Sequence, residues 1–202
     1  MTYIDSIDAL EALYDTPPPK AALVKVARAM TPKYRRWIMA SRFCVLSTVG
    51  PAGTDGTPRG DDGPVVAELD AQTLAMPDWR GNNRLDSLRN IVTDGRVSLM
   101  FMVPGSTTVV RVNGIARLST DPDLTELFEV KGRHPRTVIV IRIAEIYSQC
   151  ARAVLRSELW TSGDQSGGLP SAGDILTEMT RGDFDGAAYD TEWPTRAART
   201  MW

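Results

Sequence analysis

The stretch Met76-Pro-Asp-Trp-Arg-Gly-Asn-Asn-Arg-Leu-Asp-Ser-Leu-Arg-Asn-Ile91 passes from an apolar, strand-like segment through a Gly/Asn turn into a helix. The first turn of a helix leaves backbone N–H groups without partners and carries a partial positive charge. Asn82, Asn83 and Arg84 add side-chain donors and a full charge at that junction. A phosphate suits such a place. The same residues also suit a simpler reading, in which Gly81 permits a tight turn and the asparagines cap the helix.

On the N-terminal side, Phe43 to Val49 reads as a strand, and Gly50 to Thr57 as a long hairpin connection. Val65 to Leu69 and Gln72 to Met76 flank Asp70-Ala71 as a tight antiparallel pair. On the C-terminal side, Leu85 to Thr93 continues as a helix of two to three turns, and Arg96 to Val103, Thr107 to Leu118 and Thr137 to Gln149 read as strands. Six strands result. Helical spacing marks Ser6 to Tyr14 with Ile7, Leu10, Leu13 and Tyr14 on one face, Lys20 to Met30, and a third helix opening at Pro32. These three are expected to dock on the sheet. Asp121 to Val130, Ala151 to Trp160 and Pro170 to Met179 are further helices. Trp193 and Trp202 in the polar tail are expected to pack on the body or on a second subunit.

Antiparallel strands joined by hairpins, with helices gathered at the ends, give an α+β fold built on a small six-stranded antiparallel barrel. At 202 residues the expected organisation is a single domain: N-terminal helices over 1–41, a barrel core over 42–160 and a C-terminal helical extension over 161–202. The formal charge of −2 gives no global field to draw in nucleic acid or an anionic membrane, so an anion site must be local. Two cysteines, Cys44 and Cys150, cannot build a disulfide framework. No segment approaches the roughly 20 apolar residues of a membrane span. A soluble, cytoplasmic protein is expected.

Hydrolytic chemistry finds little support. The one histidine, His134, sits in the polar turn from Lys131 to Arg136 and reads as a solvated loop residue. Neither cysteine has a closely spaced Cys or His partner, and Asp183 to Gly186 lacks the spacing of a calcium loop. Arginines remain: Arg59 entering a strand, Arg80 and Arg84 at the opening junction, and Arg156 on a later helix, each able to grip a phosphate. Helical spacing gathers Ala153, Arg156, Ser157 and Trp160 on one face, which reads either as a binding face or as an ordinary surface with Trp160 half-buried.

Five ordered segments carry a resemblance: Pro58 to Asp61, Pro77 to Arg84, Val103 to Gly105, Arg111 to Gly114, and Arg156 to Trp160. With them the chain resembles the pyridoxamine-phosphate-oxidase-like superfamily of flavoproteins, within it a subgroup of FMN-dependent enzymes of unassigned substrate. The likeness runs from about Phe43 to Trp160 and implies the split β-barrel that binds FMN. It implies that Arg59, with Gly60 and Asp61, stands on the second strand and holds the FMN phosphate together with Asn82, Asn83 and Arg84. Pro77 and Asp78 would end the third strand beside the isoalloxazine and ribityl. Arg156 and Ser157, with Trp160, would arrive from the partner subunit of a homodimer.

The chain also departs from the family. Val109 stands where the true oxidases have Gln, Gln149 where the subgroup has His, and Thr195 to Trp202 does not align with the oxidases' terminal Trp/Arg segment. These departures argue against vitamin B6 oxidation. The resemblance therefore implies an FMN-dependent oxidoreductase that acts on a small organic substrate by hydride transfer through flavin N5. A flavin-binding sensor without turnover and an F420-dependent reductase on the same fold are the alternatives. Haem is disfavoured by the single histidine.

Overall fold

The structure is a computed structural model and describes residues 1–14 and 16–202. Among the described residues seven strands form one antiparallel sheet: β1 (Phe43–Gly50), β2 (Gly53–Gly60), β3 (Ala67–Asp70), β4 (Thr73–Asp78), β5 (Arg96–Met102), β6 (Val109–Ser119) and β7 (Thr137–Gln149), in the order β2-β1-β5-β6-β7-β4-β3. Sequence alternation sets the inner face. Cys44, Leu46 and Thr48 of β1, Val97, Leu99 and Phe101 of β5, and Val110 and Val112 of β6 are buried, while Ser47 and Met100 between them are exposed. Leu74 and Met76 of β4 and Ile139, Ile141 and Ile146 of β7 complete the same apolar cluster. Each such fully buried side chain contributes roughly 1.5–3 kcal/mol.

The sheet coils until its two ends meet. Arg59 of β2, near one edge, donates from Nη1 to Asp78 Oδ1 of β4, near the other, at 2.6 Å. The barrel is closed there by side chains, which makes it a split barrel.

The strand count exceeds the expected six by one. Gly53 to Thr57, expected within the hairpin loop Gly50 to Thr57, joins Pro58 to Gly60 as one strand that pairs with β1 along its whole length from Phe43↔Gly60 to Gly50↔Gly53. An edge strand needs ladder hydrogen bonds on one side only, so it tolerates Pro58 and needs no apolar run. Pro77 and Asp78 accordingly end the fourth strand, not the third.

Eight helices surround the barrel among the described residues: α1 (Ile7–Leu13), α2 (Lys20–Val24), α3 (Pro32–Ile38), α4 (Asp86–Thr93), α5 (Pro122–Glu126), α6 (Arg152–Arg156), α7 (Ala172–Met179) and α8 (Gly186–Thr200). Thr31 caps α3 by accepting from the Tyr34 N–H at 3.3 Å, Pro32 opens it, and Ile38 is fully buried in the core. Ser6 caps α1 as its position suggests, but Ile7, Leu10, Leu13 and Tyr14 are all exposed and α1 buries no residue. The expected docking of this helix on the sheet does not occur within the chain. Lys20 to Met30 is not one helix either: α2 stops at Val24, and Ala27 exchanges two main-chain hydrogen bonds with Ile146. The helices α5 and α6 are each a single turn within the longer spans expected. The two C-terminal helices pack on each other through Gly173 and Gly186, where an added Cβ on either would lie 2.2 Å from the other's carbonyl oxygen.

Candidate active site

Beside the closing pair, the residues at the β2 end, the β4 end, the start of α4, the loop before β7 and the end of α8 enclose a cleft of about 1620 Å³. Arg59, Gly60, Asp61, Pro77, Asp78, Asn82, Asn83 and Arg84 all line it. Segments about 20 residues apart in sequence are brought together because barrel closure carries β2 to β4.

Arg59 and Asp78 are mostly buried, at 19% and 18% side-chain exposure, so their ion pair is screened less than a surface one. Arg59 Nε is buried without a hydrogen-bond partner. A guanidinium presents five N–H donors in a planar fork, so Arg59 can hold Asp78 through Nη1 and still face an anion with its other edge. Asp61 accepts from the Trp79 indole at 2.9 Å and fixes that ring at the cleft wall.

The opening of α4 differs from a capped helix. Leu85 stands at the N-cap position with φ 62° and offers no side-chain cap, and Asn83 also has a positive φ of 60°. Asn82 accepts from the Arg84 N–H at 3.1 Å, an Asx turn that shapes the loop and does not cap the helix. The asparagines therefore leave the first-turn N–H groups of α4 open. Arg84 is 76% exposed and its Nε donates to Asp86 Oδ2 at 2.9 Å. Ser87 in the same turn donates to Asp55 on β2.

Arg156, Ser157 and Trp160 do not join this cleft within the chain. Helix α6 ends at Arg156, so Trp160 lies beyond it, and the Trp160 indole donates to Ser106 O in the β5–β6 turn at 2.8 Å. The residues that sequence reasoning missed come from two places. His134, expected as a solvated loop residue, is exposed and lines the cleft with Arg133, Arg136 and Thr137. Arg199, Met201 and Trp202 line it from the C-terminal segment; Trp202 meets Trp79 edge-on with ring centroids 5.4 Å apart. The tail's two tryptophans were the available signal; their destination was not readable.

Cys44 faces the barrel interior, and burial pushes its thiol up to about 12, against a smaller opposing pull from Arg59. It stays protonated and is no thiolate nucleophile. Among the described residues no cluster of His, Cys, Asp and Glu could hold a metal ion, and no helix is long and apolar enough to cross a membrane.

Fold and cleft together define a split-barrel protein with an arginine-lined cleft at the barrel seam. The family profile described as Pyridoxamine 5'-phosphate oxidase matches residues 30–150, and the chain belongs to that family. Similar solved structures include HupZ of Group A Streptococcus (16% identity, 59% of this chain and 93% of that one, TM-score 0.49). A candidate pyridoxamine 5'-phosphate oxidase from Lactobacillus delbrueckii has 22% identity over 60% of this chain and 95% of its own, with TM-score 0.48. An F420 reductase has 17% identity over 58% and 98%, with TM-score 0.44. The comparison with curated proteins finds no match.

Proposed function

We propose that the chain is an FMN-dependent oxidoreductase of the cytoplasm acting on a small organic substrate. One observation carries the reading: Arg59, Asn82, Asn83, Arg84 and the uncapped start of α4 line one cleft, and Arg59 holds a buried donor with no partner there. That set fits the phosphate of FMN, with Pro77 and Asp78 beside the ring system and ribityl chain. Bound FMN would supply two-electron redox chemistry at N5, for which the chain needs no histidine or thiolate of its own. The protein's part is position and electrostatics: Arg59, fixed by Asp78, would hold the phosphate, and Asp61 fixes the Trp79 ring at the cleft wall.

The site's second half is proposed to come from a second copy in a homodimer. Arg156 and Ser157 stand outside their own chain's cleft, among the exposed apolar side chains Leu155, Leu159 and Trp160. Phe43 and Met100 are exposed on the outer face of the barrel as well.

The purified protein, reconstituted with FMN and freed of excess, is expected to be yellow, to bleach under NADH, NADPH or dithionite, and to recover in air. A colourless protein after reconstitution would contradict the proposal. A yellow protein that no biological reductant bleaches would point to a flavin-binding sensor, and displacement of FMN by F420 to the F420-dependent alternative.

A further inference from the structure

The α7–α8 hairpin stands outside the barrel core. Among the described residues the apolar core cluster takes no side chain from beyond Ile146. Helices α7 and α8 each bury one residue, Gly173 and Gly186, and these are the two that pack the helices together. The chain reaches the hairpin through residues 162–170, which contain three glycines, two of them in the left-handed region: Gly163 at φ 69° and Gly168 at φ 81°. All of this tether except Ser162 is exposed, and its Gln165 and Ser166 donate within it, to Ser162 O and Asp164 Oδ1. A two-helix unit on such a tether can swing as one body.

The far end of the hairpin is held at the seam cleft. Arg133 Nη1 donates to Trp202 O at 2.8 Å and to Arg199 O at 3.4 Å, and the Trp202 ring meets Trp79 edge-on with centroids 5.4 Å apart. The barrel side of this contact is fixed: the Trp79 indole donates to Asp61 Oδ2 at 2.9 Å, and Arg133 and Val130 exchange two main-chain hydrogen bonds of 3.0 and 2.9 Å. A charge-assisted donor and one aromatic edge are few enough contacts to open and reclose thermally. With Trp202 in place the cleft still encloses about 1620 Å³, above the roughly 300–1,000 Å³ of a usual single-ligand pocket, so a ligand and the closed contact fit together.

We propose that the α7–α8 hairpin is a lid on the seam cleft, hinged at residues 162–170 and latched by Trp202 against Trp79 and Arg133, and that it opens to pass the cleft's ligand in and out. The proposal rests on the FMN reading for the ligand whose passage it times, and on no part of it for the latch. A lid is one barrier crossed in both directions, so loosening it speeds entry and release alike and leaves the affinity nearly as it was. A side chain that only touches the ligand changes release and affinity together.

The test follows FMN entering the FMN-free full chain, and leaving it on dilution, by stopped-flow flavin fluorescence in the native chain, Trp202→Ala and Arg133→Gln; both substitutions lie outside the apolar core. In each variant the two rate constants are expected to rise about tenfold while Kd stays within about threefold. Unchanged rates in either variant, or faster release matched by weaker binding, overturn the lid. The latch itself is read without ligand by fluorine NMR of the fluorotryptophan-labelled chain, with the Trp79 signal assigned by its loss in Trp79→Phe. Trp202→Ala gives the unlatched position of that signal, and Arg133→Gln is expected to move it part of the way there. A Trp79 signal that keeps its native position in Arg133→Gln overturns the latch. A chain that binds no FMN overturns the cofactor reading instead, and the NMR measurement then decides the lid.

Discussion

Arg84 lines the seam cleft with its guanidinium held by Asp86 in the first turn of α4. Its removal would withdraw a charge-assisted donor and leave the Asp86 carboxylate uncompensated beside a bound phosphate. Arg84→Ala is therefore expected to weaken FMN binding by about 1.5–3 kcal/mol, measured by fluorescence titration. An unchanged dissociation constant would remove Arg84 from the site. At this scale much of the cleft lining was legible. Asn82, Asn83 and Arg84 announce themselves by residue type at a strand-to-helix junction. What the sequence could not show is how each is spent: Asn82 shapes the loop, Arg59 also closes the barrel, and Asp78 is the partner that holds it there.

Among the elements, β7 was read to the residue, because 13 residues of near-continuous β-branched and alternating character leave no other reading. Its neighbour in the motif set, β6, was legible as a strand, but the role of Gly114 was not. The ladder between β6 and β7 shifts register between Asn113 and Gly114, and a Cβ at Gly114 would lie 2.2 Å from the carbonyl oxygen of Arg142. Backbone cannot withdraw as a side chain can. Gly114→Ala is expected to lower stability by about 1–3 kcal/mol in urea unfolding, and a variant as stable as the parent would contradict the close approach. The first half of β2, Gly53 to Thr57, reads as loop for the opposite reason. Gly53 to Gly60 contains no apolar residue except Pro58, and its pairing is dictated by β1 rather than by burial of its own side chains. Helix α8 was hidden by Pro194 within it and by its polar composition, so the arrival of Trp202 at the cleft could not be foreseen.

Over the whole molecule, several carboxylates are held below their ordinary range. Glu68 is lowered by its hydrogen bond from Arg35, Asp94 by Arg96, Asp70 by the Gln72 N–H, and Asp174 by the Ser171 N–H in the capping box of α7. A carboxyl whose folded value lies below its unfolded one stabilises the fold above the unfolded value, and that support is lost as pH falls through the folded one. The urea midpoint should fall as pH drops from about 5 to about 3, with a smaller drop in Glu68→Gln. A flat profile would mean that these contacts do not persist in solution.

On the proposed function, the cleft at the barrel seam recognises the phosphate of FMN. Equilibrium titration of the FMN-free chain with FMN and, in parallel, with riboflavin isolates that phosphate, since the two ligands differ in nothing else. Two charge-assisted contacts at about 1.5 kcal/mol each correspond to roughly a hundredfold preference for FMN. A preference of that order is expected, and equal affinity for FMN and riboflavin would rule out a phosphate site in the cleft.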